Sequence, residues 1–302
     1  MTNPSQFDTL EQMDSSKWLT EVKSNFDQGS WPTECNRCRD AESTGNNSIR
    51  QYSLGQHTTN LDIRLDYLVL GGVLDNICNS ACQTCNESLS TKIGSLSSKN
   101  YIRIDNSNKI ERLPTDRIIQ LDINGGEPSA SPNYLRLLDN LPPNVKHIRL
   151  NTNGSRVLTA LPQLIDRGVS VTVTVSLDGI GQIHDYVRWP IKWADVNDTI
   201  QQYQTMGLYE LNTWTTVSAL NIGDFKNIQT YVNEHSIKHS YALLEQPDIL
   251  NVKYSNHFTK TADVPEELKN IVGRDRDNTV ELKSWTYSQD QLRGIKLWDY
   301  YQ

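Results

Sequence analysis

Residues 169–176 read VSVTVTVS. A run this dense in β-branched residues predicts a strand. Working outward from it, short β-rich runs alternate with helical ones. Upstream, strands are predicted at 67–74, 118–124 and 145–150, and helices at 133–140 and 158–166. A Ser/Asn-rich segment, 88–109, holds a first helix and a surface loop. Downstream come a helix at 196–206, a strand at 211–218, a helix at 225–233 and a sixth strand at 240–244. Alternation of this kind implies a parallel sheet with right-handed crossovers. Six such steps are too few for an eightfold barrel. A partial barrel or an open doubly wound sheet fits, and in either one ligands gather at the carboxyl ends of the strands.

The 302 residues suit one large domain with extensions. Residues 1–60 form an N-terminal extension, 61–245 the β/α core and 246–302 a C-terminal tail. Within the extension, 15–31 predicts a short helix capped by Asp14 or Ser15. Apolar residues make up 36% and charged residues 22%, the balance of an ordinary globular chain. No apolar run is long enough for a transmembrane helix. The first residues lack the basic and apolar regions of a secretory signal, so the cytoplasm is the expected compartment, or the host cytoplasm if the protein is viral. A formal charge of −7 gives no broad attraction to nucleic acid or an anionic membrane.

Five cysteines, Cys35, Cys38, Cys78, Cys82 and Cys85, all lie in the first third of the chain. In a reducing compartment such spacing favours metal binding or catalysis over disulfides. Cys78-Asn-Ser-Ala-Cys82-Gln-Thr-Cys85 follows the first predicted strand. Three thiolates on one short loop can hold a [4Fe–4S] cluster and leave one iron open for a chelating ligand. Zinc completed by a further ligand is the competing reading. The second strand ends in Asn124-Gly125-Gly126-Glu127-Pro128. Two glycines there let backbone approach a ligand closely. Glu127 could add charge complementarity or brace the loop, and Pro128 stiffens its exit.

Together, the Cys78–Cys82–Cys85 triplet and Gly125-Gly126-Glu127-Pro128 resemble the radical SAM superfamily. The resemblance implies a partial (β/α)6 TIM-like barrel, carrying here the Cys-bearing N-terminal extension and the C-terminal tail. It also implies reductive cleavage of S-adenosylmethionine at a [4Fe–4S] cluster, with the resulting 5′-deoxyadenosyl radical abstracting a substrate hydrogen atom. Asn151-Thr-Asn-Gly154 ends strand three and Ser176-Leu-Asp178-Gly179 ends strand four. By the same resemblance Asn153, Ser176 and Asp178 are cofactor-binding candidates, against a bland alternative of turn capping. Arg188, in Asp185-Tyr-Val-Arg188, could pair with a carboxylate or phosphate of cofactor or substrate, or form a structural salt bridge. That stretch, with Cys35-x2-Cys38-x3-Glu42-x2-Gly45-x2-Ser48-x-Arg50, is similar to a twitch-domain subgroup found in bacteria and phages. No cysteine follows Cys85, so an all-cysteine auxiliary cluster beyond the barrel is impossible in this chain.

Three readings of Cys35 and Cys38 stay open: ligands of a second metal (zinc or iron–sulfur) with help from His57, an acidic side chain or a partner chain; a redox pair; or packing. His235 and His239 have helical metal spacing but are expected to be solvated, and the aromatics Trp285, Tyr287, Trp298, Tyr300 and Tyr301 to pack the tail. The implied partners are a one-electron donor such as flavodoxin or ferredoxin and a peptide or protein substrate, with a nucleoside or other small molecule as the alternative. A non-catalytic zinc or iron–sulfur module is the rival from another class. Replacing both Cys35 and Cys38 is expected to remove iron or zinc beyond one cluster's content by elemental analysis; unchanged content would make the pair structural.

Overall fold

The computed structural model describes residues 12, 15–45, 48, 50–51, 68–97, 101–110, 115–253, 264, 266–273 and 279–297. They fall in two compact units, residues 1–68 with 108–118, and residues 69–107 with 119–302.

The alternation in VSVTVTVS sets the architecture of the larger unit. In strand β4 (Ser170–Ser176), Val171, Val173 and Val175 are 0% exposed, while Ser170, Thr172, Thr174 and Ser176 are half-buried. The valines therefore face a packed layer and the hydroxyl residues the other side. The strands are β1 (Leu68–Val73), β2 (Ile118–Asn124), β3 (His147–Thr152), β4, β5 (Glu210–Val217) and β6 (Lys238–Leu243), hydrogen-bonded in sequential order. Pairing is parallel from β2 through β6. A doubly wound sheet reverses its strand order at a switch point; here there is none. Right-handed crossovers between successive parallel neighbours put the helices on one face. The result is a parallel sheet flanked by helices, consistent with a partial (β/α)6-like barrel.

Among the described residues the longer helices are α3 (Thr91–Leu96), α4 (Pro132–Asp139), α5 (Leu161–Asp166), α6 (Gln182–Val187), α7 (Trp193–Thr205), α8 (Phe225–Glu234) and α9 (Thr279–Arg293), following α1 and α2 of the smaller unit; single helical turns lie at Ser107–Ile110 and Glu266–Lys269. Leu161 and Leu164 of α5 and Val196, Ile200 and Tyr203 of α7 are buried with the β4 valines. Gly154 fixes the closeness of this packing: with φ +71°, a Cβ there would stand 2.9 Å from Val175 Cγ1 and 3.1 Å from Val196 Cγ1.

The opposite sheet face is polar. Its registered rows run Asp122–Arg149–Thr172–Glu210, then Asn151–Thr174–Asn212–Lys238, then Ser176–Trp214–Ser240. All are half-buried or exposed. Parallel sheets are ordinarily apolar on both faces, so this side is built for water or a polar ligand.

Strand and helix positions follow the sequence within a few residues, and further helices form at Asn36–Ser43, in α6, at Glu266–Lys269 and in α9. Helix α6 falls where only a motif was read. Helix α9 lies in the C-terminal tail, to which no element was assigned, and buries Leu282, Thr286, Asp290 and Arg293. Those four mark one helical face, but three are polar, so hydrophobic periodicity does not reveal it. Leu282 and Leu297 join Tyr186, Val187, Ala219, Leu220 and Leu250 in a buried cluster against which Trp285 packs. Tyr287 is exposed, and Trp298, Tyr300 and Tyr301 lie outside the described residues. His235 and His239 do not meet as a solvated pair. His235 stacks on Tyr231 at 4.2 Å, and His239 Nδ1 lies 3.0 Å from Thr213 Oγ1.

In the smaller unit, α1 (Lys17–Asp27) is capped by Ser16 rather than Asp14 or Ser15, its hydroxyl accepting from Leu19 N at 3.2 Å. The helix ends short of residue 31, with Gly29 at φ +71° closing it. Helix α2 (Asn36–Ser43) follows a turn. In the larger unit, Leu164→Ala, at a side chain 2% exposed, is expected to lower unfolding free energy by about 2–5 kcal/mol, read from the urea midpoint.

Candidate metal and cofactor centre

The loop after β1 is fastened at nearly every residue. Asp75, buried, accepts from Ile77 N at 3.0 Å through Oδ1, and from Ser131 Oγ at 2.5 Å and Asn133 Nδ2 at 2.9 Å through Oδ2. Asn76 donates to the carbonyls of Ser88 and Ile102 and accepts from Ile104 N. Thr91 Oγ1 accepts from Cys78 N at 3.2 Å, and Ser90 Oγ donates to Ser80 O at 2.7 Å while capping α3. On the far side, Ala81 N donates to Trp189 O and Gln83 N to Val187 O, both at 2.7 Å. Arg293 Nε donates to Ala81 O at 2.8 Å and its Nη2 to Cys82 O at 3.2 Å.

This frame gathers the thiols. Ser80 Oγ lies 3.4 Å from Cys78 Sγ and 3.3 Å from Cys82 Sγ, so one hydroxyl serves two sulfurs. Burial, then the neighbouring Cys82, pushes the Cys78 and Cys85 thiols above their usual range. The Arg188 guanidinium is pulled down by burial but raised more by Cys82 and Asp178, and its Nε is buried with no hydrogen-bond partner. Among the described residues no three His, Cys, Asp or Glu side chains form a group that would hold one metal ion. Ligands of a single zinc crowd about 2.3 Å from one centre, whereas thiolates of a cubane each hold a different iron and stand farther apart. A sulfur-only donor set on one partly buried loop, beside the guanidiniums of Arg188 and Arg293, fits an anionic iron–sulfur cluster. The unsatisfied Arg188 Nε and Gln83 amide leave donors and an acceptor for a polar ligand.

Gly125 and Gly126 have φ of +83° and +56°. A Cβ on Gly126 would stand 2.5 Å from Ile77 O, so the strand-end turn presses directly on the cysteine loop. Glu127 N donates to Ile77 O at 2.7 Å. Its carboxylate, 1% exposed, is filled by Ser129 N and Oγ at 3.0 and 2.7 Å, Thr152 Oγ1 at 2.7 Å and Asn153 N at 2.6 Å. Of the two roles open to Glu127, bracing is the one its bonds serve. Pro128 leaves the turn toward α4.

Asn153 donates through Nδ2 to Asn79 Oδ1 at 2.8 Å, tying the end of β3 to the cysteine loop. Ser176 ends β4 on the polar face. Asp178 accepts from Arg188 Nη1 at 2.6 Å and from Thr216 N at 2.8 Å. Arg188 therefore makes the structural ion pair, with its Nε left over. Sequence reasoning missed Asp75, Ser80 and Arg293; an aspartate right after a strand and polar residues at helical spacing, Thr286, Asp290 and Arg293, were the available signals.

In the smaller unit, Cys35 precedes α2 and Cys38 lies in its first turn. Burial, then Cys38, raises the Cys35 thiol. Glu42 accepts from Arg50 Nε at 3.0 Å, Arg50 Nη2 at 2.5 Å and Ser48 Oγ at 2.5 Å, and the Arg50 guanidinium lies 5.0 Å from the Trp31 ring centre. Glu42, Ser48 and Arg50 of the spaced motif thus form one hydrogen-bonded brace. His57 lies outside the described residues.

No family model matches the chain. The mycofactocin maturase MftC of Mycobacterium ulcerans (strain Agy99) is 24% identical over 160 residues, 52% of this chain and 42% of the relative. MftC of Mycobacterium tuberculosis (strain CDC 1551 / Oshkosh) is 22% identical over 160 residues, 52% of this chain and 40% of that one. Among solved structures, native anSMEcpe with bound AdoMet and Kp18Cys peptide has a TM-score of 0.47 at 19% identity, covering 76% of this chain and 62% of that one. Streptococcus suis SuiB bound to S-adenosylmethionine has a TM-score of 0.46 at 13% identity, covering 93% and 60%. The chain thus spans less than two thirds of each.

His184, in α6 one turn before Arg188, is 0% exposed; burial, then Arg188, lowers its pKa from 6.5 to about 3. Below pH 6.5 the unfolded chain takes a proton that the folded one refuses, so stability falls as pH drops toward 3. His184→Phe is expected to flatten that acid limb in urea titrations between pH 7 and pH 4.

Proposed function

We propose that the protein is a radical-SAM enzyme of the twitch-domain-like subgroup, and that its six strands curl into a partial (β/α)6 barrel. The observation that carries the reading is the loop of Cys78, Cys82 and Cys85, buried at Cys82 and wedged against the Gly125–Gly126 turn at the strand ends. A [4Fe–4S] cluster chelating S-adenosylmethionine would supply one-electron cleavage of the sulfonium and a 5′-deoxyadenosyl radical for hydrogen abstraction. The three cysteines would hold the cluster. Gly125, Gly126 and Pro128 would shape backbone against the cofactor, and Glu127 would hold that turn rigid. Asn153, Ser176 and Asp178 would line the cofactor's rim, with Arg188 Nε offering a donor to an anionic group. Burial of Cys82, Glu127, Asn153 and Asp178 would help to exclude water, which protects a reactive radical. Hydrogen abstraction asks for no general base, and none of these side chains is assigned as one.

A peptide or protein is the proposed substrate. The sheet's polar rows, rich in amide and hydroxyl groups around the exposed Trp214, suit hydrogen bonding to a peptide, and a maturase stands among the sequence relatives. A nucleoside or other small molecule is the alternative. Residues 1–60 would carry a second metal, zinc or iron–sulfur, at Cys35 and Cys38. The remainder would divide into a core at 61–245 and a C-terminal extension at 246–302. A flavodoxin or ferredoxin would supply the electron, in a cytoplasmic setting. Among the described residues, no helix is long and apolar enough to cross a membrane.

After anaerobic reconstitution with iron and sulfide, the protein is expected to form 5′-deoxyadenosine from S-adenosylmethionine with dithionite, and Cys82→Ala to lose both cluster and product. A loaded cluster that neither responds to S-adenosylmethionine nor cleaves it would favour the non-catalytic metal module.

A further inference from the structure

Helix α9 is docked by more than apolar packing. Tyr186 Oη donates to Asp290 Oδ1 at 2.9 Å, and Leu297 N donates to Asp290 Oδ2 at 2.7 Å. One turn on, Arg293 is 6% exposed, and its guanidinium makes four hydrogen bonds. Nε and Nη2 hold the carbonyls of Ala81 and Cys82, while Nη1 holds Gln289 O at 3.2 Å and Gln289 Oε1 at 2.6 Å. Each of these acceptors is neutral. Arg188, the other buried guanidinium near the thiols, shares its charge with Asp178. Burial pulls Arg293 below its usual pKa, and the Cys82 charge acts against that pull.

We propose that Arg293 is the positioning residue of the cysteine loop, fixing the carbonyls at Ala81 and Cys82 so that Cys82 presents its sulfur, and that its charge favours the reduced cluster. The inference rests on the cluster reading above. One-electron reduction adds a negative charge to a buried anionic group. A guanidinium held at fixed distance in low dielectric stabilises the more negative state. The planar fork also matters, because one ammonium cannot hold two carbonyls in the same geometry.

The test uses the full chain, reconstituted anaerobically, as native, Arg293→Met and Arg293→Lys. Melting of each apo-protein reports folding. Iron release to a chelator and a dye-mediated potentiometric titration followed by EPR report the loop and the charge. Arg293→Met is expected to surrender iron at least tenfold faster. Its cluster should also be harder to reduce by about tenfold in equilibrium constant, about 59 mV for one electron. Arg293→Lys is expected to keep the native potential and still lose iron faster. Variants that fold, release iron at the native rate and keep the native potential would overturn the inference, whatever their melting temperatures. If Arg293→Met does not fold, the lysine variant decides alone: native iron retention sinks the proposal, and rapid release supports it. A native protein that takes up no cluster would refute the parent reading and this one together, whereas native loading with unaltered variants refutes only this one.

Discussion

Four donors converge on the Glu127 carboxylate, and the rim of the sheet depends on that convergence. A buried carboxylate without partners would cost several kcal/mol. Satisfied here from the start of α4 and the end of β3, it forces the second and third strand ends to a common level. The backbone of the same residue binds Ile77 O, so the cysteine loop is held at that level too. Gly126 permits the contact because a side chain would strike Ile77 O. Neighbouring bonds extend the arrangement: Asn153 reaches Asn79, and Asp178 gathers Arg188 and the end of β5. A sheet whose strands run in sequential, parallel order delivers all these ends to one side, and the polar network converts that topology into a rigid rim.

The sheet was legible because β-rich runs recur between helical ones, and in β3 and β4 apolar and polar residues alternate with a clean period of two. β2 was read to the residue, and β3 to β5 within about two. Order along the sheet was not legible from one sequence, since partial barrel and doubly wound sheet share the same alternation of elements. The tail failed for a different reason. Helix α9 buries Thr286, Asp290 and Arg293 in places where periodicity looks for leucine. Asp290 and Arg293 are polar because they bind specific partners, and those partners are distant in sequence: Tyr186 lies 104 residues from Asp290, and Ala81 lies 212 from Arg293.

The candidate site divides similarly. The cysteines and glycines were readable because their chemistry is local: spacing on a loop, and φ values that other residues rarely adopt. Glu127 had two open roles in the sequence, and only its neighbours distinguish them. Arg188 also met the structural reading, through Asp178, while keeping one unsatisfied nitrogen. In the smaller unit, the spaced Glu, Ser and Arg positions become intelligible as one brace in which Glu42 pins Arg50. The motif was visible as a pattern, but the division of labour between thiols and brace was not.

The span between the loop and its guanidinium has a consequence during synthesis. Cys82 and Arg293 are separated by 211 positions. At about 5–20 residues per second, roughly 10–40 s pass between their emergence from a ribosome. Throughout that interval the thiols are made but their last carbonyl anchor is not. Metal insertion that waited for the completed loop would therefore be a late event of biogenesis, and the nascent thiols would need protection from oxidation until α9 has docked.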